Sequence, residues 1–130
     1  RGASGVIMGG RGGHADTAQG AALTLITTRL TAAGFAKIVP AVGTLTTPGA
    51  TVDAVVTEAG VAVNPARGDL AERLRYAGLP LLTIEDLAAR AAVEAARPAP
   101  PAPDGRIVAV SEYRDGSVTD VIRAVAEDDS

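Results

Sequence analysis

The chain has 130 residues, a length for one compact domain; 47% are hydrophobic but only 2% aromatic, so Ala, Val, Leu and Ile must build the core. A net charge of −3, no Lys/Arg-rich tract and few aromatic faces for stacking bases argue against a protein devoted to nucleic acid. Without cysteine there is no disulfide, thiolate metal site or thiol nucleophile, and the single His14 rules out a multi-histidine metal site within the chain. No apolar run reaches the length of a membrane span and no signal peptide opens the chain, which fits a cytoplasmic protein. Its first residue, Arg1, is not Met, so the sequence reads as a piece of a longer one.

Residues 2–20 are punctuated by glycine and read as a strand, a loop and a short helix, with Gly-Gly-Arg-Gly-Gly-His-Ala-Asp at residues 9–16. Consecutive glycines let the backbone take positive φ and let another molecule approach closely. The β-branched run at residues 23–28 reads as a strand, Ile38-Val39 as a second and weaker one, and Pro48-Gly49 as a turn. Residues 52–56 and 61–63 supply a third and a fourth strand. Two helices follow. Asp69 is expected to cap the first, where Leu70, Ala71, Leu74 and Ala77 share a face and Gly78 and Pro80 supply the stop. Thr83 opens the second, with Asp86 three residues on as a capping-box pair; Ile84, Leu87, Ala88 and Ala91 form its apolar stripe.

Residues 98–105 hold four prolines and read as a stiff extended linker. Beyond it, β-rich runs at residues 107–113 and 118–125 flank Asp115-Gly116, a hairpin signal because a type I′ turn needs positive φ at both central residues. A lone hairpin is marginal in water, so this one is expected to fold back on the chain. The acidic tail, residues 127–130, reads as frayed. Strands interleaved with helices indicate an α/β domain over residues 1–97, a linker at 98–105, and a hairpin with tail at 106–130 that packs on the same domain.

The glycine loop is the segment that looks built for chemistry. Backbone N–H groups ahead of a helix can face an anion or a developing oxyanion. The loop lacks both the dinucleotide spacing and the Walker pattern, and on shape alone a tight strand-to-helix turn explains it as well. His14 beside it could act as a base, although a helix-start residue bonded to backbone is the plainer account. Asp16 reads as a helix-start acid favoured by the dipole. Thr44, Thr46, Thr47 and Thr51 surround Pro48-Gly49, where hydroxyls can bind a carboxylate or phosphate but more often satisfy local backbone. Glu58 reads as a solvated loop acid, Asn64-Pro65 with Arg67 as a turn into a helix, and Arg114-Asp115 as hairpin chemistry.

Three segments carry a family resemblance. They are Gly-Gly-Arg-Gly-Gly-His-Ala-Asp-Thr-Ala-Gln-Gly-Ala at residues 9–21, Thr-Thr-Pro-Gly-Ala-Thr-Val-Asp-Ala-Val-Val-Thr-Glu-Ala-Gly-Val-Ala-Val-Asn-Pro at 46–65, and Glu-Tyr-Arg-Asp-Gly-Ser-Val-Thr-Asp-Val-Ile-Arg at 112–123. In order and spacing the chain resembles the C-terminal end of citrate lyase α subunits, over residues 2–125. The first two segments also resemble the wider CoA-transferase family, while the hairpin segment favours citrate lyase within it. The segment at residues 29–37 and the acidic tail depart from that pattern.

The resemblance implies an α/β fold of two open halves with mostly parallel sheets, this chain being a CoA-transferase-like open-sheet half-domain with a C-terminal β-hairpin. It implies a citrate CoA-transferase that exchanges acetyl for citryl on an acyl carrier, so that citrate ends as acetate and oxaloacetate. Implied partners are the β (lyase) and γ (acyl-carrier) subunits of citrate lyase and citryl and acetyl thioesters, with no nucleic acid and no membrane. The implied cofactor is CoA or the CoA-like prosthetic group of the carrier, with no metal. Gly12 and Gly13 map onto the backbone oxyanion donors, and Gly9, Gly10, His14, Thr46 and Thr47 onto the substrate side. The nucleophile, a glutamate in related CoA-transferases, is expected upstream, so this segment alone should be inactive. Two other readings stand beside this one: a CoA-transferase for another carboxylic acid, and a non-catalytic binding or assembly half-domain.

Overall fold

A computed structural model describes residues 12–98 and 104–124. The first element is a short helix, α1 (His14–Gly20), followed by strand β1 (Leu25–Thr27). Strands β4 (Ala54–Thr57), β5 (Gly60–Val63) and β6 (Leu81–Leu82) join β1 in a four-stranded sheet of order β1-β4-β5-β6. β1 runs parallel to β4 with Leu25 opposite Ala54; β4 and β5 form an antiparallel hairpin; β6 lies parallel to β5 with Leu82 opposite Ala62. The sheet is therefore mixed, with an antiparallel pair at its centre.

Tight local chemistry builds that centre. At the β4–β5 turn, the Thr57 hydroxyl donates to the Gly60 carbonyl at 3.0 Å and accepts from the Ala59 N–H at 3.2 Å. Gly60 takes φ 151°, and a Cβ there would lie 2.7 Å from the Pro80 carbonyl oxygen. The missing side chain lets the chain entering β6 come close enough for the Val61 N–H to reach that oxygen at 2.9 Å.

Helix α2 (Gly68–Tyr76) crosses from β5 to β6. Its start differs from the expectation. Arg67, not Asp69, holds the N-cap position and no side chain caps the helix; Asp69 sits in the first turn, and its carboxylate accepts from Arg67 Nε and Nη2 at 3.0 and 3.2 Å. An arginine fork beside Asp69 competes for the oxygens that would have capped the backbone. The stop is as expected: Gly78 takes φ 76° and its N–H reaches the Arg75 carbonyl. The apolar stripe of α2 is only half-buried at Leu70, Ala71 and Leu74, and exposed at Ala77.

Helix α3 (Ile84–Glu94) carries the expected capping box, in which Thr83 Oγ1 accepts from the Asp86 N–H at 3.0 Å and Asp86 accepts from the Thr83 N–H at 3.2 Å. Its Leu87 and Ala91 are completely buried against Leu30, Ile38 and Ala62, which together form the core. Ile84, at the start of the stripe, is instead 42% exposed.

Between β1 and β4 the expected strand at Ile38-Val39 does not form. The chain makes a small hairpin earlier, β2 (Thr31–Ala32) with β3 (Phe35–Ala36), turning on Ala33 at φ 50° and Gly34 at φ 84°. Ile38 follows as a core side chain. The far end of α3 is tied to this hairpin: the Arg97 N–H donates to the Gly34 carbonyl at 2.9 Å and its guanidinium lies 5.4 Å from the Phe35 ring centre.

Strands β7 (Ile107–Glu112) and β8 (Val118–Arg123) pair antiparallel as a separate two-stranded sheet. Their turn is not type I′. Gly116 alone takes positive φ, 83°, and the Gly116 N–H reaches the Tyr113 carbonyl while the Tyr113 N–H reaches Ser117. This is a type I turn closed by a left-handed glycine, with Asp115 accepting from the Ser117 N–H and hydroxyl instead of adopting positive φ itself. The linker's residues 99–103, residues 1–11 with Gly9 and Gly10, and the tail at 125–130 lie outside the described residues.

Candidate functional site

Gly12 takes φ 66°, a left-handed turn that suits glycine, and Gly13 follows at φ −88°, ψ 9° as the N-cap of α1. No side chain caps this helix. The Gly13 carbonyl accepts from the Thr17 N–H at 2.9 Å, so the helical ladder starts there and leaves the amides of the first turn without intrahelical acceptors. Among the described residues, a Cβ at Gly13 would meet nothing within 4 Å. Its φ of −88° is open to any residue, so what glycine supplies among these neighbours is open approach to the backbone.

A cleft of about 710 Å³ opens beside this helix start, lined by Gly13, His14 and Thr17 of α1, by residues 23–27 along β1, and by Thr47 and Val52. Its wall is mostly apolar, with Leu23, Leu25 and Ile26 between 41% and 50% exposed. Thr17, Thr24, Thr27 and Thr47 interrupt that surface, and among the described residues no Lys or Arg lines it. The dimensions and the sparse polar lining suit a slender organic ligand.

Asp53 fixes the β1 side of the cleft. One carboxylate oxygen accepts from the Thr24 N–H at 2.6 Å and the other from Arg67 Nη1. The Thr24 N–H, and after it the Arg67 guanidinium, hold the Asp53 carboxyl below the ordinary carboxylate range. Arg67, in turn, is held protonated by Asp69 and Asp53. Asn64 staples the neighbouring turn, donating from Nδ2 to the Val52 and Gly49 carbonyls at 2.8 and 3.2 Å. Asn64 thus works on the backbone of the turn and Arg67 on the carboxylates of Asp53 and Asp69, both within the domain's own structure.

Of the residues singled out in the sequence, Gly13, His14 and Thr47 come together on one cleft. Gly12 precedes it as the turn. Thr46 is exposed and is not among the lining residues. Thr44 and Thr51 donate to the carbonyls of Gly43 and Pro48, the local role threonines near turns commonly take. Glu58's own backbone N–H, and after it the Leu30 N–H at 3.1 Å, hold its carboxyl below the ordinary range. Arg114 does more than shape the hairpin: its Nε lies 3.6 Å from the Asp16 carboxylate on α1. Sequence reasoning missed the cleft wall at residues 23–27, because a β-branched run signals a strand and not which of its faces stays open.

A second cleft, about 490 Å³, lies along α3 between Ala36, Ile38 and the alanines of that helix, with Glu85 and Arg97 on its lining. Among the described residues no group of three or more His, Asp or Glu side chains could hold a metal ion, and no helix is long and apolar enough to cross a membrane.

The family model described as citrate lyase, alpha subunit (CitF), matches residues 1–125. The citrate lyase alpha chain of Klebsiella pneumoniae is 52% identical over 98% of this chain, and that of Escherichia coli K12 is 47% identical over 97%. The chain spans about a quarter of the length of these relatives, 25% in each case. The crystal structure of a citrate lyase alpha subunit from Streptococcus mutans, solved in complex with citrate, superposes on 97% of this chain and 25% of its own with a TM-score of 0.89 at 45% identity. With this match across its length, the chain belongs to the citrate lyase alpha subunit family.

Proposed function

We propose that this segment supplies the acyl-transfer cleft of a citrate CoA-transferase, the alpha component of a citrate lyase assembled with lyase and acyl-carrier subunits. The observation that carries the reading is the convergence of Gly13, His14 and Thr47 on one open cleft. Citrate as the acid is supported by the Streptococcus mutans relative solved with citrate. The thioester arm of CoA, or of the carrier's CoA-like group, supplies the acyl carbonyl and the departing thiolate when bound. The residues present fit such an arm: an apolar wall at Leu23, Leu25 and Ile26 for its length and threonine hydroxyls for its amides. The lining given by the described residues, apolar side chains and threonines, suits the neutral arm.

In this reading a carboxylate from the part of the parent chain not spanned here attacks the thioester carbonyl. Negative charge then gathers on the carbonyl oxygen and is relieved as the C–S bond breaks. The amides of Gly12 and Gly13 are the donors for that oxygen. Fixed N–H groups stabilise developing charge without reorganising, an effect worth about 3 kcal/mol per donor where one has been removed. The apolar wall keeps water from competing for the acyl group.

Gly13→Val in the full-length parent tests the reading. Among the described residues no atom stands within 4 Å of where a side chain at Gly13 would begin, so unfolding stability should change by no more than about 1 kcal/mol. Citrate-dependent acyl transfer should fall about a hundredfold. Equal, small losses in both would reduce the loop to a structural turn. Comparing citrate with small monocarboxylates as acceptors on the same enzyme separates a citrate enzyme from a CoA-transferase of another specificity.

A further inference from the structure

The β7–β8 hairpin touches both walls of the cleft without lining it. On the α1 side, the Tyr113 hydroxyl donates to Gln19 Oε1 at 2.6 Å and lies 3.5 Å from the Ala15 carbonyl oxygen. One residue on, Arg114 pairs with Asp16. On the opposite side, the Leu45 N–H donates to Asp120 Oδ2, two residues before Thr47. Resting on the reading just given, we propose that this hairpin is a positioning clamp that fixes the Gly13–His14 wall relative to the Thr47 wall, with Tyr113 and Asp120 as its positioning residues.

Three observations support a rigid bridge over incidental contact. The hairpin is stiff in itself: Ser111 lies opposite Asp120 in the ladder, the Thr119 hydroxyl donates to the Ser111 carbonyl at 3.0 Å, and Asp115 closes the turn. Asp120 is also anchored at its other oxygen, which accepts from the Val121 N–H at 2.7 Å. The two positioning side chains therefore sit at a set separation. Lastly, α1 is a short helix that, among the described residues, is otherwise tied by the Thr24 hydroxyl, which donates to the Ala18 carbonyl at 3.2 Å. It has seven residues, only Ala15 and Ala18 are buried, and no side chain caps it. A helix that short does not persist without tertiary support. Arg114 and Asp16 are both more than half exposed, so their pair contributes little compared with the two hydrogen bonds.

Misplacing a reacting group by an ångström can cost about a hundredfold in rate, so loosening the walls should be felt in turnover before binding. The test combines Tyr113→Phe and Asp120→Asn in the full-length parent chain, each substitution nearly isosteric. Amide hydrogen exchange of Thr17 and Leu45, the hydrogen-bonded amides of the two walls, should accelerate about tenfold or more, while Leu87 and Ala91 in α3 keep their protection. In the same variant kcat for acyl transfer should fall about tenfold with KM for the thioester changed less than about twofold. Unchanged exchange at both walls overturns the clamp, as does equal loss of protection in α3, which would mean general destabilisation. Faster exchange at the walls with unaltered kcat leaves the clamp standing and instead overturns the placing of the reaction in this cleft.

Discussion

Around α3 the chain closes a core of its own: Leu87 and Ala91 are wholly buried, a capping box starts the helix, and Arg97 ties its far end to the β2–β3 hairpin. Among the described residues of α1 and β1, burial is limited to Ala15 and Ala18, and beside them Leu23, Leu25 and Ile26 remain about half exposed. The first region is held by apolar packing. The second is held by polar contacts reaching across the sequence, from Asp53 to Thr24 and Arg67, and from the β7–β8 hairpin to α1 and Leu45. Apolar contacts resist small shifts as a body, whereas single hydrogen bonds can be removed one at a time. The comparison teaches that the candidate cleft can be disturbed without unfolding the protein. Its open apolar strand also matches a segment that spans a quarter of its relatives' length.

The largest effect that would test this division is Leu87→Ala. Removing a fully buried side chain from the packed region should cost about 2–5 kcal/mol of unfolding free energy, read by denaturant titration. A loss below about 1 kcal/mol would mean that α3 is not what holds the core together.

Asp53→Asn comes next and probes the polar region. The native carboxyl titrates below its usual value of 3.8, chiefly because the Thr24 N–H and Arg67 bind its charged form. A depressed folded-state pKa stabilises the fold fully above the unfolded value and loses that contribution as pH falls through the folded one. The variant should therefore melt lower than the native protein at pH 7, and the gap should close as pH drops below about 3.8. A gap that persists in acid would assign the effect to packing.

The smallest effect is expected of Thr83→Ala, which removes one half of the capping box and should cost about 1 kcal/mol. Thermal unfolding measures it, and exchange at residues 14–17 should stay unchanged, since that helix belongs to the other region.

Much of the packed region was legible because its signals are local. Thr83 and Asp86 announce α3 three residues apart, and Gly78 announces the end of α2. What escaped are elements too short for periodicity. β6 has two residues, and the β2–β3 hairpin turns on Ala33 at φ 50°, a conformation no alanine advertises. Asp69 misled because a carboxylate at a helix start serves equally as cap or as ion-pair partner, and Arg67 two residues earlier decides for the pair. In the polar region, Gly13, His14 and Thr47 were visible as types suited to chemistry. The contacts of Tyr113 and Asp120 were not, since nothing near them in sequence names Gln19 or Leu45. Scarcity of aromatics is no guide either: Tyr76, the other tyrosine, is 96% exposed.

The hydrogen bond from Tyr113 to Gln19 joins residues 94 positions apart, whereas the β4–β5 turn brings together Thr57 and Gly60, 3 positions apart. The entropy of closing a loop grows with the logarithm of its length, and contacts of long sequence separation slow folding. The β4–β5 hairpin can therefore pair early, while the docking of β7 and β8 must wait for chain on both sides. The order of assembly thus runs from the packed region outward, and the walls around Gly13 and Thr47 take their final spacing only once β8 is in place.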